Sequence, residues 1–275
     1  MYRFLFSVRW LGWLLMVVVL AAGCVGLGRW QLDRREDIVE DIQRIEANYD
    51  AAPQRYVPGQ NGFDSYDPAL EWTPVTFTGT YDVDSQVVVR NRPLNGQPGY
   101  EVLTPLRLDD GSAVIIDRGW LPIGNVEAGR PDDIPAPPAG QVEVTARTKP
   151  GEPAVNRGAP EGQVASIDLA ALANSFDYPL QNAAYGVLAL ERPAAAETPI
   201  AAPKPSIDEG PHLSYSMQWF AFGVLAFAGL GYAARQQRRS DAEQDGTAAD
   251  RPVRRRRRPS AEEEEDAILD SQGIR

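Results

Sequence analysis

Apolar residues concentrate in two long runs, one near each end of the chain, with a stretch of mixed pattern between them. The first run covers residues 10–28 and the second covers residues 213–234, and neither contains a charged residue. About 20 apolar residues in an α-helix span the roughly 30 Å hydrocarbon core of a bilayer. A helix also satisfies its own backbone hydrogen bonds, which lipid cannot do. We therefore predict two transmembrane helices that flank a central domain.

The central stretch contains the patterns of a β-rich domain. Residues 33–49 place Ile38, Ile42 and Ile45 on one helical face, which predicts a helix that continues from the first span. From Trp72 onward the apolar period becomes strand-like. The predicted strands are residues 72–79, 86–90, 100–108, 113–117, 141–148 and 186–190. An Asp-Asp-Gly sequence at 109–111 predicts a hairpin turn, because glycine accepts a positive φ.

Two further segments complete this domain. Residues 168–175 are predicted as a short helix with Asp168 as its N-cap. Residues 193–205 form an Ala/Pro-rich tether to the second span. The predicted fold class is a membrane protein of the α+β type, with two transmembrane helices flanking a mainly antiparallel β domain. That domain is either a small barrel or a strongly twisted sheet.

The positions of basic residues indicate the orientation in the membrane. Two arginines precede the first apolar run and three follow the second: Arg3, Arg9, Arg235, Arg238 and Arg239. Cytoplasmic flanks are enriched in such residues, so both termini are predicted to be cytoplasmic. The N-terminus lacks the composition of a transit peptide, which favours a bacterial plasma membrane. Residues 1–9 and 235–275 are then cytoplasmic, and residues 29–212 form one extracytoplasmic domain.

Charge narrows the possible partners. Residues 10–234 hold 15 basic and 28 acidic residues. Anionic headgroups and nucleic acid repel such a surface, so we expect no specific nucleic-acid partner. The tail over residues 235–275 contains five arginines at 254–258 and a run of acids at 262–266. Such blocks bury little apolar area, which predicts a disordered tail. The arginine run is interpreted as a solvated anchor, with nonspecific binding of anionic lipid or RNA as the alternative.

The single cysteine, Cys24, allows a second interpretation of the N-terminus. The sequence Ala-Ala-Gly-Cys at 21–24 follows basic residues and an apolar run, as in a lipoprotein signal peptide that is cleaved before the cysteine. Ala21 differs from the bulky aliphatic residue usual at that position, and the apolar run is long for a signal peptide. We favour a cysteine inside a retained transmembrane helix.

Candidate chemistry is sparse, and the sequence favours a protein that is not an enzyme. It has one histidine, His212, and no HExxH, G-x-S-x-G or phosphate-binding loop. His212 lies where the chain enters the second span, followed by Tyr215 and Trp219. A neutral imidazole there can ligate a haem iron or a metal, with aromatic helix surface covering a macrocycle. The alternative is an interfacial histidine that binds headgroups or caps the helix.

Arginines and tryptophans that lie close together in the sequence form a second group of candidate binding residues. Its members lie in three segments: Trp30 after the first span, Arg92 after a strand, and Arg118 with Trp120 in the predicted hairpin. In so acidic a domain, these arginines can bind a haem propionate, a lipid phosphate or a partner carboxylate. The alternative is that they form internal salt bridges and anchor the domain at the interface.

Five motifs in this order resemble the Surfeit-locus family of cytochrome c oxidase assembly factors. They are GRWQLDRR at 28–35, VRNRP at 89–93, GYEVLTPL at 99–106, IDRGWLP at 116–122 and HLSY followed by QW at 212–219. The resemblance covers about residues 10–234, including both spans. Two departures stand out: Pro211 precedes the histidine where many members have a polar residue, and the charged tail is not a general family feature.

The resemblance implies an assembly factor for haem-copper oxidase of the aa3 type. Such a factor assists haem a insertion or maturation of the catalytic subunit. The implied partners are that subunit or its assembly intermediates, together with the bilayer, and the implied haem ligand is His212. Two alternative functions stay open: a permanent accessory subunit that stabilises the oxidase or a respiratory supercomplex, and an envelope binding protein of the lipoprotein type.

Overall fold

The computed structural model describes residues 6–127 and 129–244. The described residues form three α-helices, α1 Val8–Asn48, α2 Leu169–Ala173 and α3 His212–Gln244. Their eight strands are β1 Gln54–Arg55, β2 Pro74–Tyr81, β3 Val87–Val89, β4 Gly99–Leu108, β5 Ala113–Pro122, β6 Gln141–Pro150, β7 Gln163–Val164 and β8 Ala184–Arg192. The chain divides into two compact units. One combines the residues up to Gln31 with those from Leu213 onward, and the other runs from Leu32 to His212.

The terminal unit is a pair of apolar helices that are long enough to cross a membrane. A buried stripe on α1 faces α3 and includes Val17, Cys24 and Gly28. A Cβ atom at Gly28 would lie 2.7 Å from the Phe220 ring, so only glycine allows this contact without a shift. Small residues permit such close packing between membrane helices.

Cys24 lies in the middle of this helix contact. A Cβ atom at Gly223 would lie 3.6 Å from the Cys24 Cβ, and the cysteine is buried. Helix α1 runs without a break through this position.

The central unit contains a closed five-stranded barrel. Its strands pair in the order β2-β6-β8-β5-β4, and β4 closes the ring by pairing with β2. Four of these contacts are antiparallel, while β5 and β8 pair in parallel. The sequence prediction left a barrel and a twisted sheet open, and the structure shows the barrel. Closure removes the exposed sheet edges that an open sheet would present.

Side chains alternate between the two faces of the barrel strands, as the period of two requires. Val75, Phe77 and Tyr81 of β2 point into an interior cluster to which all five barrel strands contribute. A second cluster covers the outer face and includes residues of β4, β5 and β8 packed against α2. Strand β5 contributes to both: Val114 and Ile116 are interior, whereas Ile115 belongs to the outer cluster.

Local signals in the sequence predicted several elements correctly. The β4–β5 hairpin turns at Gly111, whose φ is 84°. Asp168 caps α2 by accepting a hydrogen bond from the Ala171 amide at 3.0 Å. The helix predicted at 33–49 forms the second half of α1.

Two segments differ from the prediction. Helix α3 continues to Gln244, so residues 235–244 are helical rather than disordered; good helix formers and a Gln237–Asp241 hydrogen bond of 2.7 Å support this extension. The predicted tether at 193–205 is fixed to the barrel, because Ile200 and Trp120 exchange two backbone hydrogen bonds. The rest of the predicted disordered tail lies outside the described residues.

Candidate functional site

Three of the sequence motifs converge at one end of strands β4 and β5. The Trp120 indole nitrogen donates a 2.6 Å hydrogen bond to the Arg92 carbonyl oxygen. Trp120 is buried against Gly99, where a Cβ atom would lie 2.3 Å from the indole ring and 2.3 Å from the Leu121 carbonyl oxygen. The motif glycine, the arginine backbone and the tryptophan therefore form one packed junction.

Replacing Gly99 by alanine should loosen this junction. The added methyl group has no room, and overpacking of this kind costs about 1–3 kcal/mol of stability. We expect Gly99→Ala to lower the free energy of unfolding by that amount and to shift tryptophan fluorescence to the red. Gly158→Ala is the matched control, because a Cβ atom there meets nothing within 4 Å. Equal stability of the two variants would contradict the packing argument.

Gly119, in the IDRGWLP motif, positions the tether. Gly119 has a φ of 125°, and a Cβ atom there would lie 2.5 Å from the Ile200 carbonyl oxygen. Its amide donates a 3.0 Å hydrogen bond to the Asp117 carboxylate. Gly119 thus allows the segment that leads to α3 to lie directly against β5.

Arg92 is held in internal ion pairs. Its guanidinium lies 3.0 Å from the Glu101 carboxylate and 2.5 Å from the Glu152 carboxylate. Glu152 also accepts a hydrogen bond from the Ile167 amide at 3.0 Å. The hydrogen bond to Arg92 and the Ile167 amide lower the pKa of Glu152 despite the opposing effect of burial.

Asp117 lies next to this ionic group and is buried. Burial, followed by repulsion from Glu101, raises the pKa of Asp117 to about 8. The hydrogen bond from the Gly119 amide and attraction to Lys149 and Arg92 oppose that shift only in part. Asp117 is therefore mainly protonated at neutral pH, and we call residues Arg92, Glu101, Asp117, Lys149 and Glu152 the Asp117 cluster.

Arg118 points to the opposite face of β5, into the barrel interior. Its side chain is fully buried, and one guanidinium nitrogen donates a 2.6 Å hydrogen bond to the Pro135 carbonyl oxygen. The guanidinium lies 3.8 Å from the Glu191 carboxylate and 5.6 Å from the centre of the Tyr81 ring. The Tyr81 hydroxyl donates to Glu191 at 3.1 Å. Burial lowers the pKa of Arg118 and raises that of Tyr81.

These contacts show where the predicted group of arginines and tryptophans lies in the structure. The structure brings Arg92 and Trp120 together and places Arg118 on the other side of the same strand. Arg92 and Arg118 both form internal ion pairs, which is the arrangement that the alternative interpretation described. Trp30 is 58% exposed on α1.

His212 begins α3 and follows a well-ordered turn. Gly210 has a φ of 67°, and a Cβ atom there would lie 3.5 Å from the His212 ring. Its amide donates a 2.9 Å hydrogen bond to the Asp208 carboxylate. Glu209 accepts a 2.6 Å bond from Arg35, which belongs to the first sequence motif. Arg35 of the first motif therefore contacts the turn that precedes the last motif.

Helical spacing relates the other predicted residues on α3 to His212. Tyr215 and Trp219 follow it by three and seven positions, so all three lie along one helix face. His212 and Trp219 are half-buried, and Tyr215 is 48% exposed. One imidazole beside an aromatic helix face is a donor set that would suit a haem iron. Among the described residues, no three His, Cys, Asp or Glu side chains are grouped to hold a metal ion.

Sequence reasoning missed Tyr81, Glu191 and Glu152, and it assigned no role to Glu101 within the GYEVLTPL motif. None of them stands beside a tryptophan or in a glycine-rich turn, and each meets its arginine only through strand pairing or a loop that follows a strand. The signal present in the sequence was the alternation within β5, which places Asp117 and Arg118 on opposite faces.

Comparison with known proteins gives a consistent result. A model described as the SURF1 family matches residues 18–224. An uncharacterised SURF1-like protein of Mycobacterium tuberculosis is 33% identical over 264 residues, covering 87% of this chain and 90% of that protein. The Surfeit locus protein 1 of Xenopus tropicalis is 29% identical over 132 residues, covering 41% of this chain and 40% of that protein.

Fold and site define a membrane protein in which two transmembrane helices flank a small β-barrel. Arg92 and Arg118 of its motifs form internal ion pairs. The match extends from the first apolar helix through the barrel into the second apolar helix. The chain belongs to the SURF1 family.

Proposed function

We propose that this protein is a non-enzymatic assembly factor for haem-copper oxidase of the aa3 type. It assists haem a insertion or maturation of the catalytic subunit in a bacterial plasma membrane. The observation that carries the proposal is the SURF1 family match across the barrel and both apolar helices. Both termini are cytoplasmic in this proposal, and the barrel lies on the outer side, as the flanking arginines indicate.

The proposed haem ligand is His212. When bound, haem a would supply the redox and oxygen chemistry of the oxidase, and this chain would only hold and present it. The His212 imidazole would hold the haem iron, and Tyr215 and Trp219 would contact the macrocycle. Arg92 and Arg118 are engaged in internal ion pairs, so propionate groups require other cations. Arg34 is one candidate, because its side chain is 58% exposed and its ion pair with the exposed Asp37 is long, at 3.9 Å.

His212→Ala should lower the haem that co-purifies with the full-length protein by about tenfold or more, because the variant lacks the only histidine. Haem is measured by the pyridine haemochrome spectrum at matched protein concentration. Met217→Leu is the control, because Met217 is exposed on another side of α3 and carries the other common ligand atom. Unchanged haem in His212→Ala would remove this histidine from the site.

The assembly role is tested in a deletion strain. We expect membranes that lack the a-type oxidase spectrum while extractable haem A is still made. A normal spectrum and normal oxidase activity would contradict the proposal. Recovery of the protein in stoichiometric amounts with mature oxidase would support the accessory-subunit alternative instead.

A further inference from the structure

A cavity of about 410 Å³ lies between α1 and α3, toward the end of α3 opposite His212. Its walls are largely apolar and include Trp13, Met16 and Leu230. Two polar residues, Arg9 and Gln237, line it as well. Its volume is within the range of about 300–1,000 Å³ that is usual for ligand sites.

The cavity is lined by residues near the charged ends of the two helices. They touch closely at Gly28 and Phe220, yet a Cβ atom at Gly229 would meet nothing within 4 Å. Gly229 lines the cavity, so its missing side chain contributes to the open space. In a membrane, an apolar space open to the side of a helix pair is accessible to lipid chains.

Charge selects the kind of lipid. Arg9 lies at the boundary of the first apolar run, and three arginines follow the second run on α3, at 235, 238 and 239. Among the described side chains of residues 6–17 and 229–242, Asp241 is the single acid. An excess of basic groups beside an apolar cavity attracts an anionic headgroup whose chain can enter it.

We propose that this cavity binds one anionic phospholipid. Its headgroup contacts Arg9, because the Gln237 side chain already donates a 2.7 Å hydrogen bond to Asp241. One acyl chain lies along Trp13, Met16 and Leu230. The site is separate from the haem site proposed above and stands whether or not that proposal holds.

The test is native mass spectrometry of the full-length protein in detergent, titrated with phosphatidylglycerol or phosphatidylcholine. We expect one phosphatidylglycerol to be retained at concentrations where phosphatidylcholine is not. Gly229→Leu fills the cavity and should reduce phosphatidylglycerol retention at least fivefold. Gly231→Leu is the matched control, because a Cβ atom at Gly231 also meets nothing within 4 Å while that residue does not line the cavity.

Charge and shape are tested separately. Arg9→Gln should reduce the preference for phosphatidylglycerol over phosphatidylcholine about fivefold, as expected for one basic residue near a headgroup. Arg29→Gln, at the other end of the same apolar run, should leave it unchanged. Ala233→Leu fills the same cavity from the next turn and replaces Gly229→Leu if that variant fails to fold. Equal retention of both lipids, or unchanged retention in the cavity-filling variants, would overturn the proposal.

Discussion

Arg118→Ala is expected to lower the free energy of unfolding by about 3–5 kcal/mol, the cost of leaving a buried charge without its partner. The change removes the guanidinium that lies 3.8 Å from Glu191 and donates to the Pro135 carbonyl oxygen. Glu191 would then keep only its hydrogen bond from Tyr81 in the barrel interior. The measurement is denaturant unfolding of the full-length protein in detergent, followed by circular dichroism and tryptophan fluorescence.

Arg192, which follows Glu191 on β8, provides the control. Arg192 lies 4.0 Å from Glu143, but both side chains are mostly exposed. Exposed pairs contribute about 0–1 kcal/mol, so Arg192→Ala should have little effect. If Arg118→Ala were no more harmful than Arg192→Ala, the buried pair would not stabilise the barrel in the way that we argue.

A double variant separates charge from packing. The double variant combines Arg118→Met with Glu191→Gln, so that the barrel interior loses both charges. The side-chain amide oxygen introduced at position 191 can still accept the hydrogen bond from the Tyr81 hydroxyl. Replacing both members of a buried pair is often close to neutral, whereas removing one is not. We therefore expect the double variant to be more stable than Arg118→Ala alone. A double variant as unstable as the single one would point to lost packing rather than an unpaired charge.

The sequence predicted this fold wherever the determining interactions are local. Alternation in β2 sets Val75 and Phe77 inward, and Gly111 supplies the positive φ of the hairpin. Closure of the barrel depends instead on pairing between distant segments. Ile116 of β5 pairs with Gly186 of β8 in parallel, and no local pattern encodes that choice.

The candidate site shows the same limit. The motifs identified Arg92, Arg118 and Trp120 as special, and the structure explains why without an external ligand for either arginine. Both faces of β5 are buried, so hydropathy could not show that Arg118 points into the barrel. Its partner Glu191 is contributed by the last barrel strand, which pairing alone brings near. The role of His212 remains a prediction.

The pH dependence of stability should change strongly when Asp117 is replaced by asparagine. Burial raises the pKa of Asp117 to about 8 in the folded protein, against 3.8 for an ordinary aspartate. Between pH 4 and 8 the unfolded chain has lost this proton while the folded chain retains it. The folded state therefore binds more protons, and its stability falls as pH rises through this window. One proton contributes at most about 1.4 kcal/mol per pH unit.

The Asp117→Asn variant has no titratable group at this position. The difference in unfolding free energy between the variant and the original protein should therefore grow in favour of the variant from pH 4 to about pH 8 and then level off. Glu152 behaves in the opposite sense, because its pKa is lowered and its contribution is lost as pH falls. The Glu152 contribution is lost in both the original protein and the Asp117→Asn variant, so it cancels in the difference between their unfolding free energies. Unfolding free energies at pH 5, 6, 7 and 8 provide the measurement, with the exposed Asp133→Asn as control.

A difference that stays constant with pH would show that Asp117 is ionised in the folded barrel. The Asp117 cluster would then hold three carboxylates, one of them the buried Asp117, against two cations, Arg92 and Lys149. With Asp117 protonated, Glu101 and Glu152 balance those two cations. Since a buried excess charge costs several kcal/mol, the balanced state is the one that the folded structure favours. Growth of the difference with pH would therefore be direct evidence that a neutral Asp117 completes the charge balance beside the Arg92–Trp120 junction.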